Sequence, residues 1–501
     1  MDLSKYLLLL KVRRHKMTVF PTTIKEMKAG LKAGDFTAVE LVEHTFNQIE
    51  TIDAKVESFL ALNKEAALAD AKAADERGYG EDAPVLNGIP IAIKDNIVTK
   101  DLTTTAASKM LEDFNPTYDA TAVEKLKNAG AIIVGKVNLD EFAMGASTER
   151  SAFKTTRNPW NLDRVPGGSS GGSAAVVASR QVPASLGSDT GGSIRQPAAF
   201  NGLVGLKPTY GTVSRYGLIA FGSSLDQIGP MTLTVEDNAL ILEVIAGHDR
   251  HDSTSLPNLP MNYGAKIGQP LTGMKIAFPK EYKDEVIAED IRQAMQAAAD
   301  YFTSQGAIVE EVSLPLIKYG INVYYIISSA EASSNLQRFD GVRYGYRSES
   351  AHTLEEVYVK SRSEGFGDEV KRRIMLGTYA LSSGQFDKFF KKAAQVRTMI
   401  KDELNKVFEE YDIIMGPTTT STAFEIGGRV KDPIAMYVED LLTVTANISG
   451  LPGISVPAGF DHEGLPIGLQ MMAKPLAEAT LYQVAYNFEQ NHDFVQKAPT
   501  L

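Results

Sequence analysis

The chain has 501 residues, a formal net charge of −11 at pH 7, 44% apolar residues and no cysteine. Disulfides and thiolate chemistry are therefore excluded, and the acidic balance argues against direct binding of nucleic-acid phosphates, which needs concentrated Lys and Arg. Any metal site would have to be built from the seven histidines and the carboxylates.

The first apolar run, Tyr6 to Leu10, is followed by Lys11, Arg13, Arg14 and Lys16. It is too short for a membrane span and has no small-residue cleavage site. Residues 1–16 read as a disordered extension or a mis-assigned start ahead of Met17, residues 17–501 as one domain, and the protein as cytoplasmic. Gly34 closes a first helix, and Thr37-Ala38-Val39-Glu40 is a capping box opening a second, with Val39, Val42, Phe46 and Ile49 at helical spacing. A third helix runs from Asn63 to Arg77 and ends at Gly78. Strand-like runs follow at Ile89–Ile93, Ala131–Val134, Leu203–Leu206, Met274–Phe278, Ile308–Val312, Asp412–Met415, Ile454–Val456 and Ile467–Met471. Helical stretches between most of them predict an α/β fold around a mostly buried mixed sheet. The Pro-, Asn-, Ser- and Gly-rich segment His248–Pro270 is the best surface connection between halves.

Between Val165 and Leu206 only Arg180, Asp189 and Arg195 carry charge, where the overall 23% predicts about ten such residues. That stretch is predicted to be buried. It holds two glycine-serine clusters, Pro166–Ser173 and Gly187–Ser193, separated by Ala174-Ala175-Val176-Val177-Ala178. Such composition in isolation describes a flexible linker, but a linker is flanked by solvated sequence, and these clusters are not. Ser193-Ile194-Arg195-Gln196 also fits a capping box, and a serine at a helix start lies beside free N–H donors suited to an oxyanion.

A serine nucleophile needs a base. His15, His44, His248, His251, His352, His462 and His492 all lie in contexts without motif support. Lys94, ending the apolar run Pro90–Ile93, is the available substitute, although a lysine at a strand end is ordinarily a solvated edge residue. To act near neutral pH it must titrate about three pH units below a free lysine, at a cost of about 4 kcal/mol to its charged form. Burial among Ile91, Ile93 and Ile97 acts in that direction, provided Asp95 and Asp189 point elsewhere.

Lys94 in the Ile-Lys-Asp strand end, Ser169 in Gly-Gly-Ser-Ser-Gly-Gly-Ser and Ser193 in Gly-Ser-Asp-Thr-Gly-Gly-Ser resemble the amidase signature family, at similar intervals. The resemblance implies an amidase-signature α/β fold, with a large mixed central β-sheet flanked by helices on both faces. It further implies that Ser193 attacks an amide carbonyl, Ser169 relays its proton and Lys94 is the base. By the same resemblance the amides of Thr190, Gly191, Gly192 and Ser193 are expected to form the oxyanion hole, and the Gly168–Ser169 peptide to be cis.

Asp140–Gly145, Lys207–Gly211, Ser223–Pro230, Lys371–Gly377 and Leu451–Ile454 extend the match over roughly residues 17–501. They resemble most the branch of the family that serves as glutaminase subunits of tRNA-dependent amidotransferases. For glutamine, this implies Arg373 on the α-carboxylate, Asp440 on the α-ammonium, Tyr324 lining the pocket and the Met144–Gly145 backbone nearby. The implied assembly is a heterotrimer. Ammonia passes to a B subunit that holds ATP, Mg2+ and the tRNA, where misacylated Glu-tRNA(Gln) becomes Gln-tRNA(Gln); a small C subunit clasps the other two, and this chain needs no cofactor. One departure is Ala146, where the family usually has glycine and where a methyl is expected to crowd the substrate loop.

Three other readings compete. A stand-alone amidase acting on small carboxamides would share the triad without needing Arg373 and Asp440. Gly168-Ser169-Ser170-Gly171-Gly172 matches the G-x-S-x-G elbow of α/β-hydrolases, with Ser170 as nucleophile but no placed histidine. A non-catalytic scaffold would require glutaminase activity to survive Ser193→Ala.

Overall fold

The computed structural model describes residues 20–429 and 433–501, so the reading of residues 1–16 falls outside the described residues. Eleven strands form one mixed sheet: β1 (Phe59–Leu62), β2 (Pro90–Lys94), β3 (Ile132–Val137), β4 (Ala184–Asp189), β5 (Val204–Lys207), β6 (Gln227–Thr232), β7 (Lys275–Pro279), β8 (Ile308–Val312), β9 (Ile413–Pro417), β10 (Gly453–Phe460) and β11 (Pro466–Ala473). Their order is β1-β3-β2-β4-β6-β5-β10-β11-β9-β7-β8. β2 runs parallel to both β3 and β4, and β7 parallel to β8 and β9; the other pairings are antiparallel. β2, β3 and β4 are buried at every position, as expected of strands covered on both faces.

The Thr37–Glu40 capping box is present in both halves, and Val42, Phe46 and Ile49 of the helix it opens (Ala38–Val56) are buried. Gly34 caps the preceding helix in the left-handed region. Eight strands lie where the sequence places them, with ends displaced by up to four residues. β1, β4 and β6 are additional. β6 carries Pro230 at an interior position between β4 and β5, opposite Leu186. Its neighbour β4 packs against the helix Gly171–Ala178, every residue of which is buried. Hydroxyls stitch that contact: Ser173 donates to Leu186 O at 3.0 Å and Ser185 to Ser173 O at 2.7 Å. Thus the charge-poor glycine-serine stretch forms core structure around a central strand. Among the described residues no helix is long and apolar enough to cross a membrane.

Candidate active site

Lys94 ends β2 with its side chain fully buried. Its Nζ lies 2.7 Å from Ser169 Oγ, 2.8 Å from Ser170 Oγ, 3.0 Å from Ser188 Oγ and 3.3 Å from Ser188 O. Burial pushes the amine from 10.5 down to about 7, against the opposing pull of Asp140, Asp189 and Asp226. The two acids flagged in the sequence are engaged elsewhere. Asp95 lies 3.2 Å from the buried Lys136 ammonium, and Asp189 pairs with Arg195 at 3.1 Å.

The surrounding hydrogen bonds accommodate a neutral amine, which offers two N–H donors and one lone pair. Ser170 gives its hydroxyl proton to Ser188 O at 3.1 Å and so accepts from lysine. Ser188 Oγ also accepts, from Asn96 Nδ2 at 2.9 Å. A neutral amine also carries a lone pair, and Ser169 Oγ, at 2.7 Å, lies within its reach. Ser170, the α/β-hydrolase candidate, is fully buried against the lysine and Ser188 rather than open to a substrate.

Ser193 sits in the turn between β4 and the helix Arg195–Asn201. Its carbonyl accepts from Ser170 N at 3.2 Å, which joins the two glycine-serine loops. The predicted capping box at Ser193 does not form. The helix is capped by Ile194 without a side-chain bond, because Asp189 takes the Ile194 N–H and Gly192 O takes that of Gln196. The Gln196 side chain instead accepts from Gly168 N and donates to Ala146 O. The Ser193 hydroxyl makes no hydrogen bond among the described residues, and none joins it to Ser169 in this arrangement. The Gly168–Ser169 peptide is cis.

Of the amides expected to line an oxyanion hole, that of Gly192 is already occupied, donating to Asp189 Oδ1 at 2.8 Å. Those of Thr190, Gly191 and Ser193 have no acceptor among the described residues. Asp189 also accepts from Arg195 and from Asn447 Nδ2 at 2.7 Å, while Arg195 reaches Thr443 O, Asn447 Oδ1 and Gln470 Oε1. This buried network holds the loop. Its partners Thr443, Asn447 and Gln470 carried no signal in the sequence, whereas Asp189 and Arg195 stood out as two of three charges in an apolar stretch.

Arg373, on the helix Asp368–Leu381, is buried, and its Nε donates to Glu369 Oε1 at 2.7 Å. Its guanidinium lies 4.5 Å from the Tyr325 ring centre and 5.1 Å from that of Tyr437, and its NH1 has no hydrogen-bond partner. Tyr325 also donates to Asp440 Oδ2 at 2.6 Å, so one tyrosine touches both expected substrate groups. Burial raises the Asp440 carboxyl to about 7. Tyr324 lies against the oxyanion loop, since a Cβ on Gly191 would fall 2.4 Å from its ring. Tyr325, Glu369 and Tyr437 were not singled out from sequence; an aromatic pair packed beside an arginine leaves no periodic signature.

Met144 N donates to Glu141 O at 3.0 Å, and Gly145 packs against Asp140, whose carboxylate also lies against Gly168 and accepts from Ser147 N at 3.2 Å. Their loop thereby packs beside Ser169. Ala146 does not crowd it. Its methyl lies in a small apolar cluster with Val165, Phe200, Ala423, Phe424 and Met436. No group of three His, Asp or Glu side chains able to hold a metal ion occurs among the described residues.

A family model described as Amidase matches residues 40–482. The chain belongs to the amidase family. Among relatives, the A subunit of the glutamyl-tRNA(Gln) amidotransferase of Levilactobacillus brevis is 60% identical over 487 residues, 97% of this chain and 99% of that protein. Its counterpart in Enterococcus faecalis is 58% identical over 483 residues, covering 96% and 98%. In structure, the counterpart from Thermotoga maritima matches with a TM-score of 0.79 at 43% identity, covering 95% and 96%. An amidase-family enzyme of different name, the peptide amidase of Stenotrophomonas maltophilia, matches with a TM-score of 0.80 at 28% identity over 96% and 98%. The fold is thus that of the amidase family.

Proposed function

We propose that this chain is the glutamine-hydrolysing subunit of a glutamyl-tRNA(Gln) amidotransferase. The near full-length identity to proteins of that name carries the reading. The Arg373–Tyr325–Asp440 arrangement supports an amino-acid amide over a simple carboxamide. Arg373, with a buried N–H lacking an acceptor, suits the α-carboxylate, and Asp440 suits the α-ammonium, whose charge would favour the ionised carboxyl. Tyr324 and the Met144–Gly145 backbone complete the pocket.

In the proposed reaction, Ser193 Oγ attacks the γ-carbonyl of glutamine while Ser169 takes its proton and passes its own to Lys94. The hydroxyls close to hydrogen-bonding distance when substrate is bound, as catalytic contacts commonly do. The amides of Thr190, Gly191 and Ser193 stabilise the tetrahedral oxyanion, each such donor contributing about 3–4 kcal/mol. The proton returns to the leaving nitrogen, ammonia departs, and water frees glutamate from the Ser193 ester. Ammonia then passes to a B subunit that holds ATP, Mg2+ and the misacylated tRNA, with a C subunit clasping the two. The net charge of −11 agrees with nucleic acid lying on the partner.

Glutaminase and transamidation, assayed with and without the partner subunits, test this. Lys94→Ala, Ser169→Ala and Ser193→Ala should each abolish glutamine-dependent transamidation while ammonia-dependent transamidation persists. Loss of both would contradict the assignment, and full-rate amide hydrolysis by the isolated chain would favour a stand-alone amidase.

A further inference from the structure

Thr443 lies three residues after Asp440, is fully buried, and belongs to no motif of the sequence. Its hydroxyl donates to Gly191 O at 2.6 Å. That oxygen is one end of the Gly191–Gly192 peptide, and the N–H at the other end donates to Asp189. The peptide is therefore gripped at both poles. It lies directly between the peptides that carry the Gly191 and Ser193 amides, so the two grips fix the backbone to which both are joined. Contact is close: a Cβ on Gly192, at φ +132°, would fall 2.1 Å from Thr443 Oγ1. Thr443 is itself fixed, its carbonyl accepting from Arg195 NH1 at 3.0 Å and its N–H donating to Asp440 O at 3.2 Å.

We propose that Thr443 is a positioning residue that sets the oxyanion loop and links it to the segment carrying Asp440. This rests on the proposed glutaminase chemistry. Because the Asp440 carbonyl holds the Thr443 N–H, an ammonium drawing on Asp440 braces the same segment that orients the Gly191–Gly192 peptide. The effect belongs to the transition state, where charge appears on the carbonyl oxygen, and leaves ground-state binding alone.

The test compares Thr443→Val, which keeps shape and removes the donor, with Thr443→Ser, which keeps the donor, in the assembly with its partner subunits. Thr443→Val should lower glutaminase kcat by roughly tenfold or more at unchanged KM. The γ-boronic analogue of glutamate, which bonds Ser193 Oγ to boron as a tetrahedral anion, should lose affinity by the same factor. Glutamate inhibition should be unchanged, and Thr443→Ser should restore kcat to within about threefold. The inference is overturned if Thr443→Val keeps wild-type kcat, or if KM rises and glutamate affinity falls as kcat falls while the boronate loses no more affinity than glutamate does. Ser193→Ala serves as the control: activity there would remove the underlying chemistry whatever Thr443 does.

Discussion

The pH dependence of glutamine hydrolysis follows from the burial of Lys94. Lowering its titration from 10.5 to about 7 corresponds to about 5 kcal/mol against the ammonium form. In the proposed reaction the base is the neutral amine, so activity should rise with pH through that point and then level. At pH 6 about one-tenth of the enzyme carries the free base, and at pH 8 about nine-tenths, so kcat/KM should rise about tenfold and flatten above pH 8. An ordinary lysine would give about a hundredfold rise over the same interval with no plateau below pH 10. Glutamate release by the assembled enzyme, measured between these limits and corrected for titration of the substrate amine, separates the two. Lys94→Arg, which cannot lose its proton, should be inactive throughout. A continued log-linear rise past pH 8, or pH-dependent activity in Lys94→Arg, would rule out a desolvated amine as the base.

The Asp189–Arg195 pair is buried on both sides, so Asp189→Asn leaves an uncompensated cation and should cost about 3–5 kcal/mol in chemical denaturation. Arg195 and the hydrogen bonds that Asp189 accepts overcome burial and hold its carboxyl at about 2, below its ordinary 3.8. The wild-type advantage over that variant is therefore full above 3.8 and lost as pH falls through 2. Arg373→Lys removes the planar fork that packs beside the Tyr325–Tyr437 ring pair and should raise the glutamine KM about tenfold or more, measured by glutaminase assay, with the fold unchanged by circular dichroism. Gly377 packs against the neighbouring helix Gly320–Asn335 so closely that a Cβ would lie 1.9 Å from Ser329 O. Gly377→Ala should therefore destabilise by about 1–3 kcal/mol in denaturant unfolding.

Much of this arrangement was legible in particular residues. The missing charge between Val165 and Leu206 announced burial, whereas Lys94 by itself read as a solvated strand end and became a candidate base only beside the serine clusters. The Thr37–Glu40 box formed, but the same pattern at Ser193 did not, because Asp189 and Gly192 O supply the caps from a distance that a four-residue motif cannot register. β4 was hidden by its small residues. Ala-Ser-Leu-Gly-Ser-Asp has little intrinsic strand preference, and tertiary packing against the equally small Gly171–Ala178 helix decides its state. β6 was hidden by Pro230, which ordinarily argues against an interior strand. Arg373 and Asp440 entered only through the resemblance. Their shared contact with Tyr325 spans more than a hundred positions in sequence, which no local pattern encodes.

The proposed chemistry requires that glutamine acylate Ser193 through the proton path from Ser169 to Lys94. Mass spectrometry of enzyme quenched in acid during glutamine turnover observes that step itself. A γ-glutamyl ester is expected on the peptide bearing Ser193, lost in Ser193→Ala and absent in Lys94→Ala. An ester on Ser169 or Ser170, or turnover with glutamine in Ser193→Ala, would contradict it.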